Sequence, residues 1–153
     1  MISLEIPGRE LVVLERVVFD VNGTLTNRGA LVAGVAERVH LLRQQVDVLL
    51  ASADTYGTLE EVAKTLDVPA KHTASDEEKR SLIETLGASH TAHIGNGSND
   101  ASALRAAALG IAILGPEGTS PAALAAADLV CLSACDAIDL LLDTTAIAAT
   151  LRS

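Results

Sequence analysis

The sequence predicts a three-layer, Rossmann-like α/β fold, a parallel sheet with helices on both faces, and three observations predict it. Short apolar runs that read as strands alternate with longer amphipathic stretches that read as helices, joined by short connections. The central run at 46–51 is apolar at every position except Asp47 near its start, rather than alternating, as suits a strand buried on both faces. Polar residues able to do chemistry follow directly on these runs, and open α/β sheets bind ligands at the carboxyl ends of their strands.

In chain order, residues 2–6 and 10–14 flank Pro7-Gly8 and predict an N-terminal β-hairpin ahead of the main sheet. Residues 16–20 form an apolar strand that ends in a carboxylate, Asp20. The pattern of Val35, Val39 and Leu42, with Leu31 before them, predicts a helix over 33–45 facing inward. The strand at 46–51 follows, then a helix over 57–66 and a short strand at 68–72. Residues 76–86 read as a helix with Ser75 as N-cap, and Glu78 three positions on completes a capping box. A strand at 91–94, a helix over 99–107 and a strand at 110–114 come next. A helix from Ser120, a strand at 129–132, a helix over 135–142 and a last helix from Thr144 end the chain. No repeat or linker interrupts the pattern, so residues 1–153 read as a single domain.

Composition narrows the function. A chain of 153 residues with 49% hydrophobic residues can build a substantial core. The net charge of −9 repels a nucleic-acid backbone, and with Phe19 and Tyr56 as the only Phe, Tyr or Trp residues there is no platform for stacking bases. No nucleic-acid partner is expected. No apolar run approaches the ~18 residues of a membrane span, and the N-terminus lacks a basic start and apolar stretch. Cys131 and Cys135 read as reduced, structural thiols. These points predict a cytoplasmic protein with no membrane partner.

Four segments can carry chemistry. In Asp20-Val21-Asn22-Gly23-Thr24-Leu25-Thr26, a strand delivers a carboxylate and a glycine lets the chain turn back over it; alone, Asn22-Gly23 also suits a plain turn. Ser52-Ala53-Asp54-Thr55 ends the next strand with a hydroxyl and backbone N–H groups that suit phosphate oxygens, or equally cap the following helix. Lys79 lies on the helix at 76–86, where a lone lysine is ordinarily a solvated surface group. In Gly95-Asn96-Gly97-Ser98-Asn99-Asp100, two glycines turn the chain sharply at a strand end and bring Asn96, Asn99 and Asp100 to one crevice. The third glycine of a dinucleotide fingerprint is missing.

Taken together, these segments resemble the four motifs of the haloacid dehalogenase-like (HAD) phosphohydrolases, over about residues 14–132. The nearest flavour is the phosphorylation domain of P-type ATPases, to which Ser52-Ala53-Asp54-Thr55 and the segment Gly95 to Asp100 with its Ala-rich helix are similar. The interval from Asp20 to Ser52 is filled by one helix, so the chain resembles a soluble version without a cap domain. The resemblance implies a Mg²⁺-dependent phosphatase acting through a phosphoaspartyl intermediate on Asp20. It implies catalytic roles for Asp20, Asn22, Ser52 and Lys79, phosphate contacts from Ser52, Ala53, Lys79 and Asn99, and Mg²⁺ held by Asp20, Asn22, Asn96 and Asp100. The substrate it implies is phosphorylated but otherwise unspecified.

Two positions depart from the family pattern. Asn22 stands where most members carry a second Asp as general acid and base, and an amide cannot take that role. Asn96 stands where the pattern has a metal-binding Asp. The expectation is slow turnover and weak metal affinity, unless Asp54 substitutes for the missing carboxylate. The alternative is a catalytically weakened phosphate-binding or regulatory module. Both amides precede glycine, a pairing that favours deamidation to Asp. Tyr56 and residues 27–31 are placed near the site's mouth, which without a cap is open to a large substrate or to a second copy of the chain. His72, His90 and His93 are expected as surface or strand-edge residues rather than as ligands.

Overall fold

The alternating pattern folds as the sequence predicts, in a computed structural model that describes residues 1–153. Strands β1 (Ile2–Leu4) and β2 (Val12–Leu14) pair antiparallel as the N-terminal hairpin. The chain then runs through β3 (Arg16–Phe19), β4 (Thr26–Asn27), β5 (Ala30–Leu31), α1 (Val35–Leu42), β6 (Asp47–Ser52), α2 (Leu59–Leu66) and β7 (Ala70–His72). It continues with α3 (Asp76–Leu86), β8 (Thr91–Gly95), α4 (Ala101–Ala106), β9 (Leu109–Ile113), α5 (Pro121–Ala126), β10 (Leu129–Cys131), α6 (Ala134–Leu142) and α7 (Thr145–Leu151). Single 3₁₀ turns at Ala88–His90 and Ser98–Asp100 precede β8 and α4.

Six strands form one parallel sheet in the order β10-β9-β8-β3-β6-β7. From β3 the chain builds outward through β6 and β7 on one side, then returns to β8, β9 and β10 on the other. The strand order therefore reverses at β3, the strand that delivers Asp20, and the crevice at that reversal is where such sheets bind ligands.

Strand periodicity divides the core. Val17 and Phe19 point to the face covered by α1, α2, α6 and α7, where they join a cluster of 30 buried apolar residues. Val18 points to the other face and packs with Ala51, Ile83, Ala103 and Ala107 under α3 and α4, a cluster of 5. Alternation along β3 puts Asp20 on the same side as Val18. The second apolar cluster is small because buried polar residues share that face.

Element ends differ from expectation for local reasons. The helix expected over 33–45 is confined to Val35–Leu42, since Gly34 before it sits at φ 88. The helix expected from 57 begins at Leu59, because Gly57 at φ 68 is outside helical space. Ser75 caps α3 by accepting from the Glu78 N–H at 3.2 Å, but the Glu78 carboxylate reaches past the cap to the Ala74 N–H at 2.8 Å. The sequence reading did not foresee the hairpin of β4 and β5. Its two-residue turn, Arg28 at φ 49 and Gly29 at φ 87, has both residues left-handed, as a type I′ turn requires, and Arg rarely takes that place.

Candidate active site

Asp20 leaves β3 with its N–H bonded to Ile94 O at 2.9 Å, which holds it between the ends of β3 and β8. The following loop closes around one carbonyl: Val21 O accepts from the N–H groups of Thr24, Leu25 and Thr26 and from the Thr26 hydroxyl. Gly23 is required at φ 77, and a Cβ there would lie 2.3 Å from Asn96 Nδ2. The turn thus brings Thr24 back over the strand end, where its hydroxyl donates to Asp20 Oδ2 at 3.3 Å.

Lys79 is not the solvated residue its helical position suggested. It is 0% exposed, and its ammonium lies between two carboxylates, 3.0 Å from Asp20 Oδ1 and 2.9 Å from Asp100 Oδ1. A buried lysine is stable only when so paired. The two carboxylates hold its ammonium above the ordinary lysine range against the opposing pull of burial.

Asp100 is anchored still more fully. Its Oδ2 accepts the backbone N–H of Asn96 at 3.1 Å and of Gly97 at 2.9 Å. Its Oδ1 accepts from Lys79 Nζ and from His93 Nε2, the latter at 2.8 Å. This close wrapping explains Gly95, where a Cβ would lie 2.3 Å from Asp100 Cγ. Burial alone would raise the Asp100 carboxyl, but His93 and Lys79 outweigh it and hold it down at about 2. Asp20 goes the other way: burial, reinforced by the Asp100 charge, pushes it up to about 7 against the pull of Lys79. Two buried carboxylates sharing one ammonium leave a surplus negative charge, and Asp20 bears the strain of it.

The remaining predicted residues lie in the loops at the carboxyl ends of the same neighbouring strands. Ser52, 1% exposed at the end of β6 beside β3, accepts the Asp54 N–H at 2.9 Å, which leaves its own hydroxyl hydrogen free to donate. Ala53 and Asn99 are half-buried in the loops that follow β6 and β8. Asn22 is half-buried in the turn after Asp20. Asn96 donates from Nδ2 to Gly118 O at 3.0 Å, which turns its Oδ1 toward the Thr24 hydroxyl at 3.4 Å. Asp20 Oδ2 and Asn96 Oδ1 therefore lie on either side of one hydroxyl. Oxygen donors of this kind suit a hard cation such as Mg²⁺, which usually keeps several waters of its own. No three His, Cys, Asp or Glu side chains form a ready metal cluster anywhere in the chain.

Three expectations need correction. His93 is not at a strand edge: β8 lies between β9 and β3, and His93 is 0% exposed, on the same face of the sheet as the Asp20–Lys79–Asp100 group. His72 and His90 are exposed as expected. Asp54 is committed elsewhere, its Oδ1 accepting the Leu59 N–H at the start of α2 at 2.9 Å. Deamidation is opposed by the fold, because ring closure needs the following glycine nitrogen free. Gly23 N–H is bonded to Thr26 O at 3.0 Å and Gly97 N–H to Asp100 Oδ2. The reading of the sequence also missed Thr24 and Glu117. Glu117 accepts the Tyr56 hydroxyl at 3.1 Å and the Arg28 N–H at 2.9 Å, tying together the loops around the mouth.

Solved structures share this architecture. A 3-deoxy-D-manno-octulosonate 8-phosphate phosphatase from Moraxella catarrhalis, solved with magnesium, phosphate and KDO, superposes with a TM-score of 0.70 at 20% identity over 91% of this chain and 94% of its own. The fold is that of the HAD hydrolases. A structure assigned to that family from Streptomyces avermitilis matches at TM-score 0.66 and 20% identity over 82% of this chain and 80% of its own. The cobalt-bound octulosonate phosphatase of Haemophilus influenzae matches at 0.66 and 18% over 92% and 94%. No family model and no curated protein sequence matches the chain. Within the HAD-like fold seen here, no helix is long and apolar enough to cross a membrane.

Proposed function

We propose that this HAD-like protein is a Mg²⁺-dependent phosphatase that forms a phosphoaspartate on Asp20 and hydrolyses it slowly. The observation that carries the reading is Lys79, fully buried and held between Asp20 and Asp100 at the point where the strand order reverses. Burying an ammonium there has little structural use, since an apolar pair of similar volume is often as stable. It has a chemical use: the ammonium favours the ionised form of Asp20 that attacks and offsets the charge of an incoming phosphoryl group.

The cation would be held by Asp20, the Asn22 carbonyl and Asn96, and when bound it supplies charge neutralisation for the carboxylate and phosphate. An Asp20 oxygen attacks phosphorus, and the bond to the leaving oxygen breaks as that oxygen takes a proton from solvent. Ser52 Oγ–H and Lys79 Nζ donate to the transferred phosphoryl oxygens, with the backbone after Ser52 and Asn99 closing around them. Water then attacks phosphorus, losing its proton to bulk solvent, and the Asp20–phosphorus bond breaks so that Asp20 departs as a carboxylate. Asn22 cannot accept the water's proton, and Asp54 is engaged in capping α2. General acid–base help is worth about 10²–10⁴-fold, so this second step is slow. The substrate class is a phosphate monoester, handled in the cytoplasm.

The same two facts favour a second reading, a module that binds phosphate groups without turning them over. A panel of phosphate monoesters separates the two. Turnover that depends on Mg²⁺ and is lost in Asp20→Asn supports the enzyme. Stabilisation by the esters with no release of phosphate supports the module.

A further inference from the structure

We infer that His93 is a positioning residue, whose Nε2–H holds Asp100 in the one orientation in which that carboxylate carries Lys79 and has no oxygen position left for a metal ion. Its functional consequence rests on the phosphatase reading above. An ionised carboxylate offers about four lone-pair positions, and here each has a protein donor. Oδ2 takes the N–H groups of Asn96 and Gly97, and Oδ1 takes Lys79 Nζ and His93 Nε2. Without His93 one position on Oδ1 is open, and the carboxylate can rotate about its two backbone bonds and loosen its hold on Lys79.

The histidine itself shows that this bond is the reason for its presence. β8 is otherwise Thr91, Ala92, Ile94 and Gly95, all buried, so His93 is the one ionisable side chain in the strand. Asp100 is acceptor-only, so Nε2 carries the proton, and in the neutral ring Nδ1 is then a bare acceptor. That Nδ1 is buried and has no partner. An unpartnered buried acceptor is a cost that a leucine in the same place would avoid. Register explains the placement: His93 is paired with Val18 on β3, so both face α3 and α4, and the ring reaches Asp100 from beneath while Lys79 reaches it from α3.

The division of labour that follows is specific. Asp100 fixes the lysine, and metal contact falls to Asp20, Asn96 and the Asn22 carbonyl. Loss of the His93 bond should therefore weaken phosphate-mimic binding and leave metal binding alone. The test compares His93→Gln, whose amide nitrogen can occupy the place of Nε2, with His93→Asn, whose amide sits at the place of Nδ1 and falls short. Mg²⁺ alone, then beryllofluoride at saturating Mg²⁺, are titrated while thermal stability is followed. The expected result is a Mg²⁺ midpoint within about twofold of wild type in both variants. Beryllofluoride affinity should fall about tenfold or more in the Asn variant, roughly 1.4 kcal/mol, and recover in the Gln variant. Equal losses in the two variants, a shifted Mg²⁺ midpoint, or no change in either overturns the inference.

Nitrogen NMR of the wild type reads the same geometry with no ligand. A protonated Nε2 and a bare Nδ1 on His93 are expected, and the opposite tautomer overturns it even if neither variant folds. Wild type that shows this tautomer yet takes no beryllofluoride refutes the phosphatase reading, and the positioning role falls with it; bound beryllofluoride with the wrong tautomer refutes only the role of His93.

Discussion

Replacing Lys79 by Met keeps most of the side chain's bulk and removes the ammonium that two buried carboxylates share. The contacts are 3.0 Å to Asp20 and 2.9 Å to Asp100, with Lys79 and Asp100 fully buried. At an effective dielectric of about 20, a pair at that distance is worth roughly 5 kcal/mol. The saved desolvation of the lysine cancels part of it, and breaking a buried pair typically costs about 3–5 kcal/mol. For a chain of this size that lowers the melting temperature by roughly 6–20 °C. The loss should depend on pH. A carboxyl raised from 3.8 to about 7, as Asp20 is, contributes stability that is complete below 3.8 and lost as pH rises through its folded value. Without Lys79, Asp20 rises further, so the variant is weakest near about pH 8 and recovers near about pH 5, where Asp20 takes a proton. Urea unfolding at the two pH values without Mg²⁺ measures this. A variant as stable as wild type at both, or a deficit that does not shrink on acidification, refutes the assignment of Lys79 as the counterion of the site.

Wild type without metal should itself lose stability as pH rises from about 4 to about 7, and Mg²⁺ or Asp20→Asn should flatten that slope in a melting series. At the acid end the sign reverses, because Asp100 is held down at about 2 and its contribution is lost as pH falls from 3.8 toward that value. Asn22→Asp restores a carboxylate two residues after Asp20 and should speed hydrolysis of the phosphoenzyme by about 10²–10⁴-fold, read by single-turnover decay. Asn96→Asp adds a negative charge beside Asp20 Oδ2 and should lower the Mg²⁺ midpoint in the same melting assay. Both Asn-Gly pairs should remain amides in folded protein over prolonged storage, by intact mass, and deamidate only once unfolding frees the Gly23 and Gly97 N–H groups.

Where one physical rule dominated, the sequence could be read closely. Mostly apolar strands, the Ser75 cap and glycine-bounded turns placed nearly every element, because burial on both faces and capping act locally. What escaped depended on distant partners. Lys79 on its own read as a surface residue; only Asp20 and Asp100, from other parts of the chain, explain its burial. His93 carried a signal, a single ionisable group inside a buried strand, but its meaning needed Asp100, seven residues on in sequence and 2.8 Å away in space. Asp54 looked like a reserve carboxylate until the fold showed its bond to Leu59. The β4–β5 hairpin turns through Arg28, a residue whose left-handed backbone is set by its surroundings rather than by preference.

A phosphatase of this kind requires Asp20 to act as a nucleophile. Incubating the protein with a reactive phosphodonor and Mg²⁺, quenching in acid and mapping the label measures that directly. The expected result is an acid-stable, hydroxylamine-labile phosphoryl group on Asp20, absent from Asp20→Asn and longer-lived in wild type than in Asn22→Asp. Label on another residue, or none under conditions where phosphate is released, would contradict it.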